Sequence, residues 1–325
     1  MVVQGYDHRK HFWIEVEGGW RGWIDTPLRG ADSSPTAWGS DGTLANGGGF
    51  VTNSWGSHKR YTFEWPGSSS REAAQFMKSL RDGSYGRGLI HFIEPTLYNQ
   101  NVLPARIADP SMAVGDEGSS MVYGLSPEGV GTSNWEFNGL PVNSAYYNLV
   151  NVPAGYRGDA DSVYVSIPEG HTFYLGAFYE SSGTGAIFAR TVNLNGSQGD
   201  DIIIPALNND APAAFSTAFE DVRGVRIWLG KTDFGAASVT ASALIGKFGP
   251  QAALGEFGYG EGPYGESNYG GVESIDISFN KWMGGMGNSG CRFVGMPTFV
   301  NNTGLFGGTV GFSATFAEVG SWIYG

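Results

Sequence analysis

The residues that could carry acid–base or metal chemistry are a few histidines and some pairs of carboxylates, and they are scattered along the chain. His8 and His11 are the only histidines close in sequence, and in a strand or loop their spacing does not indicate shared metal ligands. The carboxylate pairs are Asp159 and Asp161, Asp200 and Asp201, and Glu220 and Asp221. A glycosidase needs two carboxyl groups about 5 to 10 Å apart across a cleft. We interpret Asp159 and Asp161 as turn residues, with or without a structural calcium, and predict no catalytic residue and no metal site.

A literal G-x-G-x-x-G occurs at Gly260, Gly262 and Gly265. Dinucleotide binding needs this motif between a strand and a helix whose N-terminus faces the phosphates. Pro263 and more glycine-rich sequence surround the motif here, so we interpret it as a chance match and predict no cofactor. Cys291 is the single cysteine, which excludes a disulfide within the chain and a cysteine zinc cluster.

Aromatic side chains are the remaining candidates, because flat amphipathic rings can stack on sugars. At 14% aromatic residues, most of the rings must lie in the core. Trp135 follows the polar stretch "GTSN", and Tyr146 and Tyr147 lie in a predicted strand nearby. These three are our candidate sugar-stacking residues.

Composition and charge narrow the classes of function. The net charge is -12, and lysines and arginines are scattered rather than clustered, so we predict no specific nucleic-acid binding. No apolar run approaches the roughly 18 residues of a membrane span, and we predict no membrane insertion. The first residues, "MVVQGYDHRKHFWIEV", lack the pattern of a secretion signal, and we expect synthesis in a cytoplasm without an export route of its own.

The first predicted domain, residues 1–118, combines strands with one helix. Alternation in "RYTFEW" places Tyr61, Phe63 and Trp65 on one face of a strand. The period then changes to that of a helix over about residues 70–82, whose apolar positions are Ala73, Phe76, Met77 and Leu80. Ser69 and Glu72 fit a capping box, and Gly83 predicts the end of the helix. After the helix, we predict a buried strand in "GLIHFIEP" and an extended segment in "NVLPARIADP".

The rest of the chain is predicted to be β. Residues 119–250 contain at least seven short strand patterns at the spacing of a sandwich or jelly roll. Residues 251–271 are rich in glycine and aromatic residues, and we interpret them as a linker. Residues 272–325 hold too few strands for a core of their own, so we expect them to return to the sheets of the first domain. The middle domain is then an insertion.

Three stretches resemble the minor tail proteins of long-tailed phages that infect Actinobacteria, of the distal-tail type. They are "YTFEWPGSSSREAAQFMKSLRDGSYGRGLIHFIEP" (61–95), "NVLPARIADP" (101–110) and "GGMGNSGCRFVGMPTFVNNTGLFGGTVGFSATFAEVGSW" (284–322). Ile107 and Asn288 differ from the large aromatic residue and the histidine expected in that family. The resemblance implies a ring-forming β-sandwich belt that bears one helix. It also implies an inserted β-sandwich of the galectin-like or carbohydrate-module-like jelly-roll type.

The resemblance also implies a function. A distal tail protein is a virion component, not an enzyme, that forms a ring at the tail tip, and we expect the ring to be a hexamer. Its partners would be its own copies, the tail tube protein, the tape-measure protein and other minor tail or baseplate hub proteins. One alternative is a peripheral tail adhesin whose middle sandwich binds host cell-wall carbohydrate. A second alternative is a wall-degrading enzyme, which no carboxylate or nucleophile pattern favours.

Overall fold

A computed structural model of the chain describes most of its residues. The described residues are 11–27, 29–43, 49–66, 71–113, 128–137, 140–156, 162–206, 213–216, 221–250, 284–288, 290–295, 297–301 and 310–318. The strands are β1 His11–Val16, β2 Arg21–Asp25, β3 Arg29–Thr43, β4 Gly49–Trp65, β5 Ile90–Ile93, β6 Asn101–Pro104, β7 Gly129–Phe137, β8 Leu140–Asn148, β9 Val163–Ser166, β10 His171–Ser182, β11 Gly185–Asn193, β12 Ile202–Ile203, β13 Ala213–Ser216, β14 Val222–Lys231, β15 Ser238–Pro250, β16 Gly285–Gly287, β17 Cys291–Phe293, β18 Thr298–Asn301 and β19 Val310–Glu318. The helices are α1 Arg71–Arg81 and the single turn α2 Ala105–Ala108, with 3-10 turns at Pro95–Asn99 and Pro110–Ala113. The fold is mainly β with antiparallel sheets, as predicted.

Strands from both ends of the sequence form one sheet of eight strands, which we call the terminal sheet. Its order is β2-β1-β5-β17-β19-β4-β3, and β18 pairs with β19 beside this path. The C-terminal strand β19 thus lies between β17 and β4, with Phe316 opposite Tyr61. Non-local pairing of this kind ties the two ends of the chain into one core.

Strands from the middle of the sequence form two further sheets, which we call the middle sandwich. The five-stranded sheet has the order β13-β10-β15-β8-β7, and the four-stranded sheet has the order β12-β11-β14-β9. Side chains from both sheets share one hydrophobic core, which includes Phe173 and Val239 from the first and Ile187 and Trp228 from the second. The predicted boundaries near residue 118 and at residues 251–271 lie outside the described residues, so the division into domains stays a prediction.

Helix α1 confirms the predicted helix and its apolar face. Phe76, Met77 and Leu80 are buried, and Ala73 packs against the same core as the terminal sheet. Gly83 ends the helix with a φ of 77°, where the amide of Gly83 donates to the Leu80 carbonyl and the amide of Ser84 to the Ser79 carbonyl. This pair of bonds is the Schellman motif, which favours glycine because of the positive φ. The predicted cap at Ser69 lies outside the described residues.

Two neighbouring predictions have different outcomes. Alternation in β4 is confirmed, since Tyr61, Phe63 and Trp65 are buried while Thr62 and Glu64 are exposed. The stretch "NVLPARIADP" is extended only in β6 and then turns into α2 and a 3-10 turn, so the prediction of an extended segment was wrong for its second half. Pro104 immediately precedes α2, where its fixed φ fits the start of a helical turn.

None of the helices in the described part of the chain is long and apolar enough to cross a bilayer.

Candidate functional site: a buried ionic interface

Of the candidate sugar-stacking residues, Tyr146 and Tyr147 do not share one surface. Trp135 lies on β7, and its side chain is outside the described part. Tyr146 and Tyr147 follow each other on β8, so they point to opposite faces of the strand: Tyr146 is 39% exposed, whereas Tyr147 is 1% exposed and belongs to the core. Burial, together with the charge of Asp109, raises the pKa of Tyr147. The structure thus leaves Tyr146 as the one member of the pair that a sugar can reach.

Most of the other residues singled out for chemistry are not among the described residues. Asp159 and Asp161, Glu220 and the G-x-G-x-x-G motif lie outside the described residues. Asp200 and Asp201 are exposed on the four-stranded side of the middle sandwich. Within the described ranges, no group of three or more histidine, cysteine, aspartate or glutamate side chains is arranged to hold a metal ion.

The densest polar cluster instead joins the terminal sheet to the middle sandwich, and its centre is Glu15. Strand β1 is buried on both faces: Phe12, Ile14 and Val16 pack into the core beneath α1, whereas Trp13 and Glu15 point toward the middle sandwich. The Glu15 side chain is 0% exposed. Because an unpaired carboxylate is very costly to bury, its partners must lie within the interface.

Arg223 on β14 is the ionic partner of Glu15. Its Nε donates to Glu15 Oε1 at 2.7 Å, and its Nη2 lies 2.6 Å from the same oxygen. Nη2 also donates to the backbone carbonyls of Val16 and Gly19, at 3.1 and 3.2 Å. Burial alone would lower the pKa of Arg223, but the charge of the Glu15 carboxylate raises it above its ordinary value. Arg223 therefore stays charged, and it holds both the carboxylate and the turn that follows β1.

Two hydroxyl groups of β9 complete the shell around Glu15. The Tyr164 hydroxyl donates to Oε1 at 2.8 Å, and the Ser166 hydroxyl donates to Oε2. Ser166 in turn accepts a hydrogen bond from Trp13 Nε1 at 2.9 Å. Burial and the Glu15 carboxylate raise the pKa of Tyr164 well above its ordinary value, so its hydroxyl remains a donor. Each oxygen of Glu15 thus has a partner on the middle sandwich.

A second ion pair lies at the edge of the same interface. Arg226, also on β14, donates through Nη2 to Glu17 Oε1 at 2.5 Å and through Nη1 to Ser162 Oγ at 3.1 Å. Glu17 Oε2 lies 3.9 Å from His91 Nε2 on β5. Burial would raise the pKa of Glu17, but His91 and Arg226 outweigh it and lower the pKa below its ordinary value. This pair is partly exposed, unlike the pair formed by Glu15 and Arg223.

Asn101 makes a separate polar contact between β6 and the middle sandwich. Its side chain is 1% exposed; Nδ2 donates to the Leu244 carbonyl at 2.9 Å, and Oδ1 accepts from the Gly246 amide at 3.0 Å. Both partners lie on β15. Asn101 therefore bonds to β15 much as a neighbouring strand would, and it fixes the "NVLP" segment against the sandwich.

A small cavity adjoins the interface, lined among others by His91, Tyr164, Ser166 and Asn288. Its volume of about 20 Å³ is enough for one water molecule and far below the several hundred Å³ of a small-molecule site. Asn288 lies at its wall and donates to the Phe92 carbonyl at 2.8 Å. The interface therefore has the properties of a structural joint, not of a substrate pocket.

What this joint can do is fix orientation. Interfaces between domains of one chain permit relative motion unless they are large or strongly bonded. Here the arginine, the carboxylate and two hydroxyl groups are buried and mutually satisfied, and breaking such a buried pair by removing one partner costs about 3 to 5 kcal/mol. The middle sandwich is therefore held in one defined position on the terminal sheet.

Sequence reasoning missed Glu15 and Arg223 as a pair. One signal was present: "HFWIEV" carries a single carboxylate among apolar side chains, and such a residue needs a partner if the strand is buried on both faces. The partner could not be identified, since 208 positions separate the two residues.

No protein-family model matches the chain, and no curated protein matches it. Among solved structures, the chain is similar to the crystal structure of the infectious bursal disease virus VP2 subviral particle. The identity is 11%, the TM-score is 0.21, and the alignment covers 96% of this chain and 76% of that chain. A TM-score of this size does not indicate a shared fold, so the similarity carries no argument about fold or function.

Proposed function

We propose that the protein is a structural subunit of a phage tail tip, a distal tail protein that assembles into a ring between the tail tube and the tail-tip proteins. The observation that carries this proposal is the buried joint of Glu15 and Arg223, which bonds the middle sandwich to the terminal sheet and would hold the two in a fixed relation. A ring subunit must present its contact surfaces in a fixed relation, because a rotation that varies from copy to copy cannot close. The position at the tail tip comes from the resemblance of residues 61–95, 101–110 and 284–322 to distal tail proteins.

The terminal sheet offers strands for such contacts. Its outermost strands along the main order are β2 and β3, and β18 pairs only with β19 among the described strands. Phe299 and Val300 on β18 are exposed. Unpaired edges with apolar side chains are an aggregation hazard in a monomer, and neighbouring copies in a ring would cover them.

The test is the assembly state of the purified full-length protein, by negative-stain electron microscopy and native mass measurement. We expect closed rings with a central hole and a mass that is an integer multiple of 34.6 kDa, with six copies as the expected number. A strict monomer at every concentration, alone and with the tape-measure and tube proteins, would contradict the proposal.

A carbohydrate-binding role of the middle sandwich is a second candidate, and the exposed ring of Tyr146 is the observation that favours it. Its cross-strand neighbour on β7 is Gly129, which has no side chain to cover the ring on that side. We expect millimolar binding of host-wall polysaccharide by the full-length protein and its loss in Tyr146→Ala. Equal binding by the two proteins, or none across a broad panel, would remove this candidate.

A further inference from the structure

A recess at the C-terminal end of α1 combines an apolar floor with a basic rim. Its floor includes Val16, Leu80, Ile90 and Phe293, and Arg81, Arg87 and Arg292 stand around it. The volume is about 250 Å³, which is smaller than the usual small-molecule site. The recess is therefore of a size to receive side chains of a protein segment rather than a free ligand.

The rim is positive in a chain that is otherwise strongly acidic. One aspartate, Asp82, also lines the recess and pairs with Arg81, so the arginines outnumber it. Arg292 is held in place because its Nη1 donates to the carbonyls of Arg87 and Gly88. Arg87 itself is exposed. A carboxylate that approaches the recess would meet a preplaced guanidinium group, the geometry that arginine provides best.

A segment with the complementary chemistry lies on the middle sandwich of the same chain. Asp200 and Asp201 precede Ile202 and Ile203 of β12, and the two isoleucines are 42% and 51% exposed. Strand β12 is the outermost strand of its sheet. The carboxylates are complementary in charge to the arginine rim, and the exposed isoleucines are complementary to the apolar floor. None of the described residues that line the recess comes from this segment, so the match is not made within one copy.

We propose that the recess at the end of α1 receives the Asp200–Ile203 edge of a second copy of this chain. This inference rests on the proposed function, because it names one of the contacts that join neighbouring subunits. The contact joins two different patches, so it can repeat from copy to copy, as a ring requires. The net charge of -12 would make random approach of two copies repulsive, and the arginine rim selects the orientation in which they attract.

The experiment reverses one charge on each side in the full-length protein. The variants are Arg87→Glu on the recess and Asp200→Lys on the edge; Asp201 is kept, because its carboxylate lies 3.9 Å from the buried guanidinium of Arg190. Glu128→Lys is the matched control, since it makes the same charge change at an exposed residue beside the other sheet of the sandwich. The association constant is measured by analytical ultracentrifugation over a dilution series, and circular dichroism checks that each variant is folded. Arg87→Gln, which only removes the charge, replaces Arg87→Glu if the latter is not folded.

We expect each reversal to weaken association about tenfold or more, in the range of close charge pairs at interfaces, and Glu128→Lys to leave it unchanged. An equimolar mixture of Arg87→Glu and Asp200→Lys chains restores association, because every contact in an alternating assembly again joins opposite charges. Wild-type association in both variants, or weakening that mixing does not restore, overturns the docking contact and leaves the proposed ring intact. A wild-type protein that stays monomeric at all concentrations, alone and with the tape-measure and tube proteins, overturns both.

Discussion

Replacing Arg223 by methionine tests whether the buried joint has the strength assigned to it. Methionine has nearly the length of the arginine stem and no charge, so the substitution removes the guanidinium without opening a large cavity. It leaves the Glu15 carboxylate, 0% exposed, with only the hydroxyl groups of Tyr164 and Ser166 as described partners. It also takes the donor away from the carbonyls of Val16 and Gly19.

The expected loss of unfolding free energy is about 3 to 5 kcal/mol, the cost of a buried ion pair that has lost one partner. Arg226→Met is the matched control: it makes the same substitution three residues along β14, at an arginine whose side chain is 20% exposed, where a smaller loss is expected because water still reaches the ion pair. Urea denaturation monitored by tryptophan fluorescence measures both values. Equal losses in the two variants would refute the assignment of Arg223 as the main ionic contact of the joint.

A double substitution, Glu15→Leu with Arg223→Met, separates the strength of the joint from its specificity. Buried ion pairs can often be replaced by apolar pairs with little loss of stability, so the double variant is expected to regain part of the free energy that Arg223→Met loses. With leucine at position 15, the Tyr164 hydroxyl keeps the backbone carbonyl of residue 223 as an acceptor at 3.4 Å, whereas the Ser166 hydroxyl loses Glu15 as its acceptor, at about 1 to 3 kcal/mol. Recovery is therefore incomplete. A double variant as unstable as the sum of its two single variants would show that the two side chains are not coupled.

Three further predictions concern the surroundings of the joint. The pKa of Glu17 is lower in the folded chain than its ordinary value of 4.5, so its ionised form stabilises the fold above that pH, and the contribution is lost as the pH falls through the folded-state pKa. The difference in melting temperature between wild type and Glu17→Gln should therefore be largest at neutral pH and shrink as the pH is lowered below 4.5; a difference that does not change with pH would contradict this. Asn101→Leu leaves the Leu244 carbonyl and the Gly246 amide without their hydrogen-bond partner. It should lower the unfolding free energy by about 1 to 3 kcal/mol per unsatisfied group, which urea titration measures; no loss would mean that the hydrogen bonds from Asn101 to β15 do not stabilise the fold. Gly83→Ala forces a Cβ into the left-handed region and should cost about 1 kcal/mol, and a neutral result in the same titration would show that the end of α1 relaxes.

The parts of the fold that could be predicted from the sequence are those with local causes. Helix α1 has its apolar face, its basic last turn and its terminal glycine within 13 residues, so each feature supports the others without knowledge of the rest of the chain. The burial of Tyr61 and Phe63 follows from alternation in the same way. Local patterns do not predict which face of a strand is buried when tertiary contacts determine it. Tyr146 and Tyr147 are neighbours of the same residue type, and the placement of β8 in the fold buries Tyr147 and exposes Tyr146.

The joint itself depends on contacts that no local pattern contains. Glu15 is recognisable as unusual in an apolar strand, but its partners lie on β9 and β14, which pair with each other and not with β1. The position of the middle sandwich on the terminal sheet decides that Arg223, and not Arg226, meets Glu15. That position is a property of the whole fold.

An ionic joint suits a rigid assembly subunit for a reason other than strength. Apolar faces attract each other in many relative positions, because the hydrophobic effect has no direction. The carboxylate of Glu15 is satisfied in one position only, where Arg223, Tyr164 and Ser166 converge on its two oxygens. A shift of the sandwich by two residues toward the start of β1 would place Trp13, the next side chain on the same face, against Arg223. Both charges would then be buried and unpaired, at a cost of several kcal/mol. The joint therefore selects one orientation of the middle sandwich, and in a ring each copy would carry its Asp200–Ile203 edge to the same place relative to the recess of its neighbour.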